Sequence, residues 1–85
     1  MRSYELTLVF KEEIKDVEAQ AKALAGSKVN QLKIWGARDL AYLIKGVKRG
    51  VYIWMTVELE PDQVAGLDKS LRQNEFVLRH LLISQ

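Results

Sequence analysis

The chain begins with a segment in which apolar and polar residues alternate. Its large apolar side chains recur at every second position: Tyr4, Leu6, Leu8 and Phe10. A period of two is typical of a β-strand with one buried face. The pattern therefore predicts a first strand over residues 3–10, with Val9 on the opposite face.

After Lys11 the apolar residues follow a helical spacing: Ile14, Val17, Ala21 and Leu24. Three acids stand near the start of this segment, where they suit the positive end of a helix dipole: Glu12, Glu13 and Asp16. Gly26 suits a helix C-terminus because glycine readily adopts the left-handed conformation. The pattern predicts a first helix of three to four turns that ends at Gly26.

Two strands and a hairpin connection follow. Residues 28–45 predict a second strand, in which Gly36 indicates a bulge or kink. The segment "KGVKRG" predicts the connection, because Gly46 and Gly50 can adopt a positive φ at little cost. The next segment alternates most clearly and predicts a third strand, with these side chains on one face: Val51, Ile53, Met55, Val57 and Leu59.

The last third of the chain predicts a helix and a strand. Pro61 suits the first helical position, where its missing N–H removes no hydrogen bond. An apolar stripe follows it: Val64, Leu67 and Leu71. Gly66 within this helix costs about 1 kcal/mol relative to alanine, so we expect close packing there. Residues 76–84 predict the last strand, in which Arg79 and His80 interrupt an apolar run.

The element order is β-α-β-β-α-β within 85 residues, which is the length of one domain. This order predicts an α+β, ferredoxin-like fold spanning residues 1–85. It consists of a four-stranded antiparallel sheet with two helices on one face.

The face of the sheet opposite the helices should be polar in an antiparallel sheet of this kind. Strand parity instead places these apolar residues on it: Val9, Leu43, Tyr52, Trp54, Leu81 and Ile83. A contiguous apolar patch on a small domain marks a partner surface. Protein contact, self-association and stacking of bases on Tyr52 and Trp54 are the alternatives that this pattern leaves open.

Composition narrows the function. The chain has 48% hydrophobic and 28% charged residues and no cysteine, which excludes disulfides and thiolate metal sites. Net charge is only +2, but residues 28–49 carry six Lys and Arg against one Asp. Clustered cations favour a polyanionic partner such as nucleic acid. We expect no membrane span, since no apolar run approaches ~18 residues. We expect no secretory leader.

Three segments resemble the bacterial family of small-subunit ribosomal protein six: "YELTLVF", "WGARDLAYLI" and "LRQNEFVLRHLLI". Together they span essentially the whole chain in the family's order. The resemblance implies a ferredoxin-like, cytoplasmic ribosomal protein without a cofactor or enzymatic activity. It also implies binding to the central domain of small-subunit ribosomal RNA, together with the eighteenth small-subunit protein.

The chain departs from the family pattern at three places. Asp39 stands where a second basic residue is expected, which leaves Arg38 alone. Leu43 replaces the usual proline, restores a backbone donor and adds apolar area that favours self-association. The segment from Phe10 to Trp35 is several residues shorter than in the family. We also expect no C-terminal tail.

The candidate RNA contacts are cations that could meet phosphate groups: Arg2, Arg38, Lys45, Lys48, Arg49, Arg72 and Arg79. The planar arginine side chain suits phosphate because it donates two parallel hydrogen bonds, whereas lysine acts as a point charge. Arg38 and Arg79 are the stronger candidates because each lies in a segment that matches the family. For each of the seven cations, a solvated surface role is the alternative.

We expect most of the remaining aromatic and polar residues to have packing roles. We expect Trp35 to be a packing anchor beside the kink, and we expect Tyr4 and Tyr42 at the edge of the core. For Tyr52 and Trp54, the resemblance favours protein contact over base stacking. His80 has the parity of the helix-covered face, which predicts a packed, hydrogen-bonded side chain. Zinc would require further ligands, and the chain has neither cysteine nor a second histidine.

An enzymatic reading finds no support in the sequence. Acyl-phosphate hydrolases of the same topology hold phosphate in a glycine-containing loop after the first strand, but "VFKEEIK" has acids and no glycine there. No phosphate-loop motif occurs either.

Two hypotheses compete with a ribosomal RNA-binding protein. One is a self-assembling or engineered scaffold that forms a homo-oligomer, and the other is a stand-alone RNA-recognition module.

Overall fold

Four antiparallel strands and two helices make up the computed structural model, which describes residues 2–12, 15–26 and 28–84. The strands are Arg2–Lys11 (β1), Lys28–Ile44 (β2), Val47–Leu59 (β3) and Val77–Ser84 (β4). The helices are Val17–Ala25 (α1) and Val64–Gln73 (α2), and a 3-10 turn, Pro61–Gln63, precedes α2. The sheet order is β2-β3-β1-β4, which confirms the predicted ferredoxin-like arrangement.

The core lies between the helices and the two central strands, β1 and β3. Register pairs Leu6 with Met55 and Leu8 with Ile53, and directly paired residues share a face of the sheet. All four side chains are completely buried. The helices cover them with small or branched apolar side chains: Ala21, Ala25, Leu67 and Leu71. The helices therefore cover one face of the sheet, as predicted.

Helix α1 begins later than the apolar spacing predicts. Asp16 is its N-cap, and its Oδ1 accepts a hydrogen bond from the Ala19 amide at 3.4 Å. Gly26 ends the helix with φ +60°, and its N–H donates to the Lys22 carbonyl at 3.2 Å. The nine residues make about two and a half turns, so the predicted length was wrong. Ile14, which the spacing assigned to this helix, lies outside the described residues.

The β2–β3 connection is shorter than predicted. Lys45 and Gly46 form its turn, with φ of +50° and +78°, and Ile44 pairs with Val47 across it. Two positive φ values in a two-residue turn match the right-handed twist of the strands. Lys48 and Arg49 therefore belong to β3, and the predicted six-residue loop was wrong.

Gly36 marks the bulge that the sequence predicts in β2. Its φ is +91°, and the register with β3 shifts between Ile34 and Gly36. Trp35 is the extra residue at this shift, and an unpaired bulge residue is not held by the ladder. Its side chain is 46% exposed, so the expectation of a packing anchor was wrong.

Gly50 and Gly66 have the opposite of the predicted surroundings. Gly50 has no positive φ; instead, a Cβ there would lie 2.5 Å from Val9 Cγ1 and 3.1 Å from the Phe10 carbonyl oxygen. Nothing lies within 4 Å of a Cβ built at Gly66, so the expectation of close packing there was wrong. The tight glycine is the one in the sheet.

Gly50→Ala should destabilise the protein by about 1–3 kcal/mol, because an added methyl group overpacks the contact with Val9 and the β1 backbone. Gly66→Ala is the matched control and should stabilise by up to about 1 kcal/mol, since alanine is the better helix former. Urea unfolding of both variants measures these changes. Equal effects of the two substitutions would show that the close approach at Gly50 does not exist.

Candidate interface on the open face of the sheet

The sheet face opposite the helices, here called the open face, brings several of the predicted interface residues together. Thr7 on β1 pairs with Trp54 on one side and Leu81 on the other. Val9 likewise lies between Tyr52 and Arg79, and Ile83 is opposite Glu5. The open face is thus a continuous surface across β3, β1 and β4.

The exposure of these side chains differs widely. Leu43, Leu81 and Ile83 are 59%, 57% and 47% exposed, whereas Tyr52 and Trp54 are half-buried. Val9 is only 4% exposed, because neighbouring side chains enclose it at the Gly50 contact. The expectation that a partner touches Val9 directly was therefore wrong. Val9 is a buried packing residue beneath the exposed side chains of the open face.

A second buried residue of the open face was missed by sequence reasoning. The β1–β4 register shifts between Val9 and Phe10, and this shift leaves Leu78 as an extra residue in β4. Leu78 is 7% exposed, and its Cδ1 would lie 3.3 Å from a Cβ at Gly50. The only signal in the sequence was the pair of adjacent apolar residues at the start of β4.

The end of the β2–β3 hairpin reaches β4, although β2 and β4 form opposite edges of the sheet. Lys45 Nζ donates to the Val77 carbonyl at 2.9 Å and to the Asn74 carbonyl at 3.5 Å. Arg79 Nη1 donates to the Tyr42 hydroxyl at 3.3 Å. Because Arg79 belongs to the open face, the hairpin end, residues 40–47, crosses that face towards β4.

Tyr42 therefore does not have its predicted place. Its side chain is 61% exposed, so the expectation of a ring at the edge of the core was wrong. The irregular register between Asp39 and Ile44 breaks the parity on which that expectation relied. Tyr4, by contrast, is 8% exposed and belongs to the core.

Two of the candidate RNA contacts are held by acids within the protein. Arg49 lies between Asp39, at 3.1 Å from its Nε, and Glu12, at 4.0 Å from its Nη1. Arg72 Nε contacts Asp68 Oδ2 at 2.9 Å. The departure at Asp39 thus supplies a partner for Arg49 on the neighbouring strand. Exposed pairs of this kind contribute only about 0–1 kcal/mol each, but they reduce the positive potential of both arginines.

The seven cations do not form one cluster. Arg38 pairs with Gly50 and Lys48 lies two residues before it, so these two exposed side chains stand near the hairpin end. Arg2 pairs with Leu59 at the opposite end of the sheet. Arg72 belongs to α2, on the covered side of the sheet. Only the group near the hairpin end combines with the open face.

Lys33 is a cation of the open face that sequence reasoning missed. It pairs with Trp54, and its Nζ lies 5.8 Å from the centre of the Trp54 ring. A cation over an indole is attracted by the electron-rich ring face. This contact adds positive charge to the aromatic part of the open face. Counting the parity back across the Gly36 bulge would have been needed to find it.

His80 is hydrogen-bonded and half-buried, as predicted. Its Nε2 lies 2.8 Å from Asp68 Oδ1, and Arg72 contacts the other oxygen of that carboxylate. The His80 hydrogen bond holds the pKa of Asp68 below its ordinary value; partial burial opposes this shift, and the Arg72 charge adds to it. The three side chains connect α2 to β4.

Within residues 2–12, 15–26 and 28–84, no three His, Cys, Asp or Glu side chains come together as a metal site would require. The described helices are too short and too polar to cross a bilayer. The residues of the open face and the cations near the hairpin end form an apolar and cationic surface.

The described residues thus form a small α+β domain of ferredoxin-like fold, whose open face carries apolar and cationic side chains. Residues 3–84 match the family model of ribosomal protein S6. The small ribosomal subunit protein bS6 of Desulforamulus reducens is 33% identical over 93 residues, covering 100% of this chain and 98% of that protein. The chain belongs to the ribosomal protein S6 family of the small ribosomal subunit.

A solved structure agrees with the fold. The crystal structure of the 30S ribosomal protein S6 from Thermotoga maritima superposes with a TM-score of 0.79, covering 99% of this chain and 87% of that one. At a sequence identity of 17%, the similarity to this structure concerns the fold alone.

Asp68→Asn should lower stability at pH 7 and flatten its acid dependence. A carboxylate whose pKa is lowered on folding contributes stability above its unfolded pKa, near 3.8, which is lost as pH falls through the lower folded value. The two proteins should therefore converge in stability as the pH falls through the lowered pKa of Asp68. Urea midpoints measured from pH 2 to 7 test this, with Glu75→Gln as the control for removal of one exposed charge.

If the difference in stability between Asp68→Asn and the wild type stayed constant across that pH range, it would contradict the assignment. The difference would then come from the changed side chain itself and not from titration of the Asp68 carboxylate.

Proposed function

We propose that this protein is a structural component of the small ribosomal subunit that binds the central domain of its ribosomal RNA together with the eighteenth small-subunit protein. The open face carries the proposal: helices cover one side of the sheet, and Leu81 and Ile83 remain about half exposed on the other. The proposed role is a binding role in the cytoplasmic ribosome, without a cofactor, catalysis or a membrane.

The apolar part of the open face is proposed to bind the partner protein. Leu81 and Ile83 alternate with inward-facing His80 and Leu82 along β4, so they form one ridge beside β1. Removing an exposed leucine or isoleucine side chain from water contributes about 1.5–3 kcal/mol. Such aliphatic ridges suit a protein surface better than nucleotide bases, which stack on flat aromatic rings.

The cations near the hairpin end are proposed to contact RNA phosphates. Arg38 and Lys48 are exposed, and no ion pair within the described part of the chain holds either of them. Arg79 is near them but donates to Tyr42, which leaves its other guanidinium hydrogens for phosphate. Phosphate contacts position the RNA without reading bases, and they make affinity fall as salt rises.

Leu81→Glu should abolish binding to the partner protein, because a carboxylate in the apolar ridge would be desolvated without a counter-charge. Fold stability should change little, since the side chain is 57% exposed. Ile34→Glu is the matched control: Ile34 is 47% exposed but pairs with core residue Ile53, so it lies on the helix side. Partner affinity measured by calorimetry, with circular dichroism to check the fold, compares the two variants.

Equal affinity of Leu81→Glu and the wild type would show that the partner does not use the open face. The same assay with central-domain ribosomal RNA, with and without the partner, tests the RNA part of the proposal. A stable homo-oligomer that binds neither molecule would instead support the self-assembling alternative, which the exposed Leu43 favours.

A further inference from the structure

Lys45 differs from the other cations of the hairpin because its ammonium group donates to backbone carbonyls at the start of β4. We propose that Lys45 is a positioning residue, which fixes the hairpin end on β4 so that the protein-binding surface is complete, and that it is not an RNA contact. This inference rests on the proposed function for its partner protein.

The strand ladder alone leaves the hairpin end weakly defined. The last regular pair is Asp39 with Arg49, and the next is Ile44 with Val47. Between these two pairs, β2 has residues 40–43 while β3 has only Lys48. Four residues opposite one cannot form a regular ladder, so contacts outside the hairpin must fix its position.

The Lys45 ammonium provides the first of these contacts. It donates to the carbonyls of Val77, at 2.9 Å, and Asn74, at 3.5 Å. The segment that bears these carbonyls is itself ordered, because Asn74 Oδ1 accepts from the Phe76 amide at 2.9 Å and the Asn74 carbonyl accepts from Val77 at 3.2 Å. Hydrogen bonds from a charged donor are stronger than those between neutral groups.

The second contact places the hairpin end beside the apolar ridge. Arg79 donates to Tyr42, and Tyr42 precedes Leu43, which is 59% exposed. Leu78 lies between the two β4 residues that take part in these contacts, Val77 and Arg79, and is 7% exposed. The hairpin end is therefore bound to β4 at Arg79, two residues before Leu81. Leu43 belongs to the partner-binding surface only while this contact holds the hairpin end in place.

The Val77 and Asn74 carbonyls accept from two of the three N–H groups of the Lys45 ammonium, so an RNA phosphate could use only the third without displacing a carbonyl. Lys48, three residues later, is exposed and has no such contact among the described residues. Lys45 and Lys48 are therefore expected to act on different ligands: Lys45 on protein binding and Lys48 on RNA binding.

The test compares Lys45→Met with Lys48→Met. Methionine keeps the apolar stem and removes the ammonium in both variants. Lys45→Met should speed amide hydrogen exchange in residues 40–47 of the free protein and weaken partner binding about tenfold, the loss expected for one charge-assisted hydrogen bond. It should leave the salt slope of RNA binding unchanged. Lys45→Arg, which keeps a charged donor, should restore partner affinity.

Lys48→Met should show the reverse: unchanged exchange and partner affinity, and a salt slope smaller by about one. A smaller salt slope for Lys45→Met with unchanged partner affinity would make Lys45 an RNA contact and overturn the inference. Unchanged hydrogen exchange would overturn it as well. If the wild type itself does not bind the partner protein, the proposed function fails, and the docking role of Lys45 fails with it.

Discussion

The structure depends on one packing constraint: two short helices bury one face of a four-stranded sheet and leave the other to different contacts. The eight largest fully buried side chains belong to β1, β3 and α2, and each contributes about 1.5–3 kcal/mol through removal from water. Their alternation along β1 and β3 fixes the register, because a slip by one residue would turn every core side chain to the open face. The open face is therefore the consequence of a core that uses one side only.

Part of the open face is covered by other residues of the same chain. Gly50 permits β3 to approach Val9 and Leu78 closely, and the hairpin end reaches across to the start of β4 through Lys45 and Arg79. Leu43 and the ridge of Leu81 and Ile83 remain exposed, with cations near the hairpin end. The buried residues of the open face, Val9 and Leu78, thus lie beside the exposed ones.

Sequence reasoning succeeded where periodicity is strict. The parity of β1 and β3 predicted the core, the sheet and its uncovered face, because alternation in a strand translates directly into two faces. It failed where that alternation breaks: the irregular register of residues 40–43 put Tyr42 on the surface, and the bulge in β4 added Leu78. Helix α1 was predicted too long because an apolar spacing does not show which acid, Glu12 or Asp16, caps the helix.

Side-chain partners were the other limit of prediction. The local charge of residues 28–49 identified the cations of the hairpin. It could not show that Lys45 binds carbonyls or that Arg49 binds Asp39, since these contacts join residues far apart in the chain or on neighbouring strands. The family resemblance supplied the proposed function, because the apolar pattern of the open face alone allowed a protein, an RNA or a second copy as the partner. The structure distinguishes the candidate residues by what each already contacts.

Amide and methyl signals of the protein, compared by NMR with and without the eighteenth small-subunit protein, test the central claim most directly. The account predicts that shifts and protection concentrate on Leu81, Ile83 and the hairpin end, while α1, α2 and Ile34 are unaffected. Changes centred on the helices, with Leu81 and Ile83 unchanged, would contradict it.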